Sequence, residues 1–142
     1  MTRPHVSAEL RRQVAGDAHY RCGYFLSDES LTGIPLSIEH LTPVTAGGPT
    51  IRENLWIACR PCNEYKNDRT QAVDSATGEV VPLFNPRGQV WSEHFAWSAD
   101  GFEIVGLTPT GRATVLALKL NRPMLVRTRR RWVTLGVHPP KD

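Results

Sequence analysis

The stretch "IEHLTPVTAGGPTIRENLWIACRPCN", from Ile38 to Asn63, decides how this chain folds. Its first residues complete "PLSIEH", a short apolar run that reads as a strand. "TPVTAGGPTIRE" follows as a loop, punctuated by Thr, Gly and Pro. "LWIAC" reads as a second strand, and Arg60-Pro61 then turns the chain into a short helix, "CNEYKNDRT", with Pro61 near its start, where a missing N–H is harmless. Strand, loop, strand and helix make a compact ββα unit. The loop returns the second strand beside the first, and the helix crossing behind them presents Asn63 opposite Glu39. Side chains alternate along a strand, so Glu39 and His40 face apart in an ideal one. At a strand end, where pairing relaxes, both can turn toward one site.

Outward from this unit the signals are weaker. Ser7 caps a short helix that has Glu9 in its first turn and Gly16 near its stop. Residues 22–36 read as irregular. After "DSATGE", a turn-rich linker, the runs "VVPLF", "QVWSEHFAW" and "FEIVG" suit a small antiparallel sheet, with Trp91, Phe95 and Trp97 alternating into its core. Thr108-Pro109 opens a helix to about Leu120, and Asn121 with Pro123 opens a final one. On that last helix Met124, Leu125, Trp132 and Leu135 share one face, while Arg127, Arg130 and Arg131 share another. The expected fold class is α+β, with one domain over 1–142: a core of about 17–72 and an extension of about 78–142.

A hydrophobic content of 40% and four Trp residues in 142 exclude a disordered tail. No apolar run approaches the roughly 20 residues that span a bilayer. "MTRPHVSAELRR" lacks the apolar centre of a signal peptide, which predicts an intracellular, cytoplasmic protein with no membrane partner. Three Cys is an odd count, and Cys59-x-x-Cys62 in a reducing compartment points to metal or redox chemistry before a disulfide framework. No βαβ pattern surrounds the pair, so the redox reading is weak. Charge is uneven. Residues 1–106 carry 9 basic and 13 acidic side chains, whereas residues 107–142 carry 8 basic and 1 acidic. Such asymmetry fits polyanion binding, with a solvated helical face as the equal alternative.

Phosphodiester hydrolysis needs an activated water, a positive centre for developing charge, and a way to place both on one phosphate. An imidazole that titrates near neutrality suits the first task, and His40 supplies one. A divalent ion suits the second, and it takes hard oxygen ligands: the Glu39 carboxylate and the Asn63 carbonyl. Asn54, at the far end of the Gly47-Gly48 loop, can hydrogen-bond loop backbone and tie the loop base to the His40 strand. Taken alone, His40 reads as a strand-end His and Asn63 as a helix cap; the ordered set is what changes the reading.

Glu-His, Gly-Gly, Asn-Leu and Cys-x-x-Cys-Asn in this order resemble the HNH endonucleases, whose core is a ββα-metal (His-Me finger) motif. The resemblance covers Arg21 through Thr70, and "VVPLFNPRGQVWSEHFAWSADG" with "LTPTGRATVLALKLNRP" is similar to a C-terminal extension of one bacterial branch. It implies His40 as general base, Glu39 as metal ligand, Asn54 as the orienting central Asn and Asn63 in the last position, where Asn replaces His in many members. Lys66, one turn further on, matches a basic position that contacts phosphate, and Arg127, Arg130 and Arg131 add candidate DNA contacts. The implied activity is DNA cleavage with one Mg²⁺ or Mn²⁺ ion, leaving 5′-phosphate and 3′-hydroxyl ends. Double-stranded DNA of low intrinsic sequence specificity is the implied partner, with a homodimer or an accessory specificity protein open. Relatives carry two Cys-x-x-Cys knuckles around a structural zinc; here "RCGYF" keeps Cys22 but puts Phe25 where the second Cys belongs. Cys22, Cys59 and Cys62 remain as candidate zinc ligands, with His19 as a strained fourth. Structural zinc is four-coordinate, so the expectation is a zinc lost or weakened, with Phe25 filling its volume. The alternative function is a catalytically weak or inactive HNH-like DNA-binding module. Glu93-His94 repeats the Glu-His pair without matching Asn partners, and His94 is read as structural or DNA-proximal.

Overall fold

The computed structural model describes residues 5–141. The first four residues of the stretch read above for a leader lie outside that range. The chain forms two compact units, where one domain with an extension was expected. One runs through Thr70 and takes in Asn85–Arg87; the other comprises Gln71–Phe84 and Gly88 onward.

In the first unit α1 (Ala8–Asp17) starts as its sequence dictates, with the Ser7 hydroxyl accepting from the Leu10 amide at 3.1 Å. Val14 is its buried anchor. The segment read as irregular holds more order than expected. Arg21 and Asp28 form a β-bridge, and Asp28 caps a single-turn helix, α2 (Glu29–Thr32), that Gly33 ends at φ 73°. Two antiparallel strands follow, β1 (Ser37–His40) and β2 (Leu55–Ala58), in a register that pairs Glu39 with Trp56 and His40 with Leu55. The connecting loop contains two 3-10 turns, Val44–Ala46 and Arg52–Asn54. Helix α3 (Arg60–Lys66) begins earlier and stops sooner than the sequence suggested. Cys59 is its cap, and Asn67 leaves the helix at φ 53°. This is the α+β arrangement, with a ββα core, that the sequence predicts.

Arg87 completes this unit. Its guanidinium donates to the Leu55 carbonyl at 3.1 and 3.0 Å and to Asp17 at 2.9 Å, and it lies 4.9 Å from the centre of the Trp56 ring. Asp17 also receives a two-point contact from Arg52, at 2.9 and 2.7 Å. Arg52, and then Arg87, hold the Asp17 carboxyl well below the usual carboxylate range. Strand β2 is thus pinned at the residue that pairs with His40.

In the second unit "DSATGE" is a hairpin turn, not a linker: it joins β3 (Gln71–Val73) to β4 (Val80–Pro82). The expected single small sheet is corrected to two separate hairpins, because "QVWSEHFAW" does not form one strand. Trp91–His94 is a helical turn, α4, and only Phe95–Trp97 is a strand, β5, paired with β6 (Ile104–Gly106). Trp91 and Phe95 are four residues apart, a helical spacing, and their ring centres lie 5.2 Å from each other. Helix α5 (Pro109–Ala117) starts at the Thr108 cap, as read. Helix α6 (Pro123–Thr134) is turned differently from expectation. Met124 is 76% and Leu135 73% exposed, while Leu125 and Arg129 are buried. The Arg129 guanidinium stays hydrogen-bonded inside, to the Phe102 carbonyl and the Asn121 amide oxygen, over the face of Trp97. Among the described residues no helix is long and apolar enough to cross a membrane.

Candidate active site

The loop between the strands is closed by one side chain. Asn54 accepts from the Thr42 amide at 2.8 Å and donates to the carbonyls of Pro49, at 2.8 Å, and Thr42, at 3.1 Å. One amide thus joins both ends of the loop, as the sequence suggested, and it is nearly excluded from water. Gly48 is required at this closure: a Cβ there would lie 1.8 Å from the Thr42 oxygen. Thr50, next to the clamped Pro49, faces His40, and its hydroxyl lies 2.9 Å from Nε2. His40 is half-buried, and burial followed by the charge of Lys66 lowers its pKa. Both effects favour the neutral imidazole, the form that can accept a proton.

Glu39 and His40 have separate partners. The Glu39 carboxylate is 2% exposed and turns toward α3. Its Oε1 accepts from the Tyr24 hydroxyl and lies 2.9 Å from the Lys66 ammonium. The ammonium sits off the hydrogen-bonding line, and Oε2 meets no donor among the described residues. Burial raises the Glu39 pKa, against the opposing pull of Lys66 and Tyr24. Lys66 is the clearest departure from expectation. In place of the phosphate contact expected of it, its side chain is 4% exposed and its charge is spent on Glu39. The reason is helical spacing: residues three apart share a face, so the face that turns Asn63 to β1 turns Lys66 inward as well. Asn63 is half-buried, and its Nδ2 donates to the Ile38 carbonyl at 3.3 Å.

The donor set suits a hard divalent ion. Glu39 Oε2 is a buried carboxylate oxygen without a donor, and Asn63 Oδ1 accepts no hydrogen bond among the described residues. Both belong to residues joined to neighbouring positions of β1 and α3. Lys66 opposes the fit, since it already neutralises part of the Glu39 charge.

Cys22, Cys59 and Cys62 come together, with their sulfurs all within 4.8 Å of one another. The Cys59 amide points at the Cys22 sulfur at 3.4 Å, and the Cys62 amide at the Cys59 sulfur at 3.3 Å. Burial pushes the Cys22 thiol up to about 12 and Cys62 well above its ordinary value, a burden that a bound cation would reverse. Three thiols can hold a metal ion. Phe25 is buried and His19 is exposed, and neither adds a ligand to this cluster. On α6, Arg127, Arg130 and Arg131 are exposed as expected, with Arg130 lying 5.2 Å from the centre of the Phe102 ring. His94 is half-buried, with Nδ1 on the Thr108 hydroxyl at 2.7 Å.

Residues 20–69 match the model of the HNH endonuclease family. A search of curated proteins and of solved structures finds no match to the chain. Tyr24, Thr50 and Arg87 were not singled out from the sequence. Tyr24 lies in "RCGYF", where attention fell on the missing Cys, and Thr50 sits two residues beyond Gly48 with no motif of its own. Arg87 comes from far along the chain, and nothing local marks it.

Proposed function

We propose that the protein is an endonuclease that hydrolyses DNA phosphodiester bonds, with His40 as general base and one divalent ion at the scissile phosphate. The observation that carries this reading is the fixing of His40: Nε2 is engaged by Thr50 on a loop that Asn54 closes, so Nδ1 is left to meet water. Nδ1 takes a proton from that water, the resulting hydroxide forms a bond to phosphorus, and the bond from phosphorus to the 3′ oxygen breaks. The leaving oxygen takes its proton from solvent, which gives 5′-phosphate and 3′-hydroxyl ends. Glu39 and Asn63 would hold the ion, Mg²⁺ or Mn²⁺, which supplies positive charge to the phosphate. Asn54 positions the base without touching the reacting atoms.

Arg127, Arg130 and Arg131, exposed along one face of α6, support contact with the backbone of double-stranded DNA, read with little sequence preference. A homodimer or an accessory protein would then supply specificity. The three thiols support a structural ion at the start of α3, with zinc the proposed metal, held more weakly than by four thiolates. A cytoplasmic setting fits free thiols.

A second reading, a DNA-binding module that cuts slowly or not at all, is favoured by one observation: Lys66 already sits on Glu39. Incubation of supercoiled plasmid with Mg²⁺ separates the two. The endonuclease nicks or linearises it, and His40→Ala lowers the rate by about 10²- to 10⁴-fold. Equal cleavage by both proteins removes His40 as the base; salt-sensitive binding without cleavage favours the module.

A further inference from the structure

The base must do more than exist; it must present the correct nitrogen. An imidazole that is neutral carries its proton on one nitrogen only, and the hydrogen bond made by the other decides which. Among the described residues the side-chain hydrogen bond at His40 joins Nε2 and the Thr50 hydroxyl, 2.9 Å apart, and a hydroxyl can accept from Nε2–H. Asn54, the residue that orients the loop, does not touch the ring. Its amide ends at Thr42 and Pro49, and Pro49 is the residue before Thr50. Loop closure is therefore passed to the imidazole through Thr50. Gly48 makes the same closure possible by letting the loop backbone approach Thr42.

We infer that Thr50 is a positioning residue: its oxygen accepts from Nε2–H of His40, which leaves the lone pair on Nδ1 for the attacking water. This rests on His40 being the base, but the hydrogen bond itself is independent of catalysis. Thr50 touches neither substrate nor ion in this scheme. It holds the ring in one orientation and one tautomer, and Asn54 holds Thr50.

The test joins spectroscopy to kinetics. Ring ¹⁵N and proton signals of His40, recorded on the full chain at about pH 8, where imidazole is neutral, report which nitrogen carries the proton. The wild type and Thr50→Ser are expected to show Nε2–H. Thr50→Val, nearly the same in shape, should show a mixture of tautomers, with kcat for plasmid nicking down about tenfold to a hundredfold and KM little changed. Thr50→Ser should restore both. A wild-type ring protonated at Nδ1, or a Thr50→Val protein with unaltered ring signals, overturns the inference. If the wild type holds Nε2–H and Thr50→Val loses it while no variant cuts DNA, Thr50 still positions His40 and it is the endonuclease reading that fails.

Discussion

Two buried carboxylates, one in each compact unit, are treated in opposite ways. Asp74 in the second unit is excluded from water and fully engaged. Both its oxygens take the Arg112 guanidinium at 2.9 Å, one accepts the Ala76 amide and the other the Thr77 hydroxyl. Arg112, above all, holds its carboxyl below the usual carboxylate range. Glu39 in the first unit is as deeply buried, yet one oxygen has no donor, the other shares a phenol and an ammonium, and its pKa is raised. A carboxylate that only staples a fold is satisfied on both oxygens. One left with an idle oxygen is an exception to the rule that buried polar groups are paired.

Breaking the pair at Glu39 should have the largest effect on stability. Lys66→Met leaves a buried carboxylate without its counter-charge and is expected to cost about 3–5 kcal/mol in denaturant unfolding. The double variant Glu39→Leu with Lys66→Met should recover that loss, because replacing both charges by apolar groups is near neutral. A double variant no more stable than Lys66→Met would mean that the pair is an ordinary staple like Asp74–Arg112, and the contrast would dissolve. Next in size is the basic face of α6. Changing Arg127, Arg130 and Arg131 to Gln should weaken DNA binding and flatten its log–log salt dependence by about 3 if each neutralises one phosphate. An unchanged slope would make that face a solvated one.

The smallest effects concern pH, and they differ in sign. Asp74 has a folded pKa depressed below its unfolded value, near 3.9. Its stabilisation is present above about pH 4 and is lost as pH falls toward the folded value. Asp74→Asn should therefore flatten the acid limb of a stability curve. Glu39 has a raised folded pKa, so its contribution is present below its unfolded value of about 4.3 and is lost as pH rises through the folded one. In metal-free buffer Glu39→Gln should remove that decline. Parallel curves for the two variants would contradict the opposite shifts.

The strands and helix around Glu39 could be read from the chain, whereas Asp74 stood only within a stretch read as a linker, and the limits of that reading are physical. β1 and β2 follow from local signals, an apolar run and Gly-Gly, and Pro61 marks the neighbourhood of the α3 start, while its Cys59 cap was not read. Asn54 was legible because an amide at a loop base has few other uses. Lys66 was misread because the sequence shows that a residue is basic, not which side of a helix meets a carboxylate from a neighbouring strand. The same holds for α6, where Arg129 takes an inward position and leaves Met124 and Leu135 outside. The Arg129 Nη1 finds acceptors inside, and one of them comes from Phe102, 27 positions away. "QVWSEHFAW" failed for another reason: its aromatic spacing satisfies a helical turn and a strand in succession.

The contrast between the two carboxylates is tested most directly by calorimetric titration of Mn²⁺ into folded wild-type protein, Glu39→Gln and Asp74→Asn. One ion per chain is expected to bind at this site in the wild type and in Asp74→Asn with the same affinity, and at least tenfold more weakly in Glu39→Gln. Equal binding by all three proteins, or a loss confined to Asp74→Asn, would contradict the account.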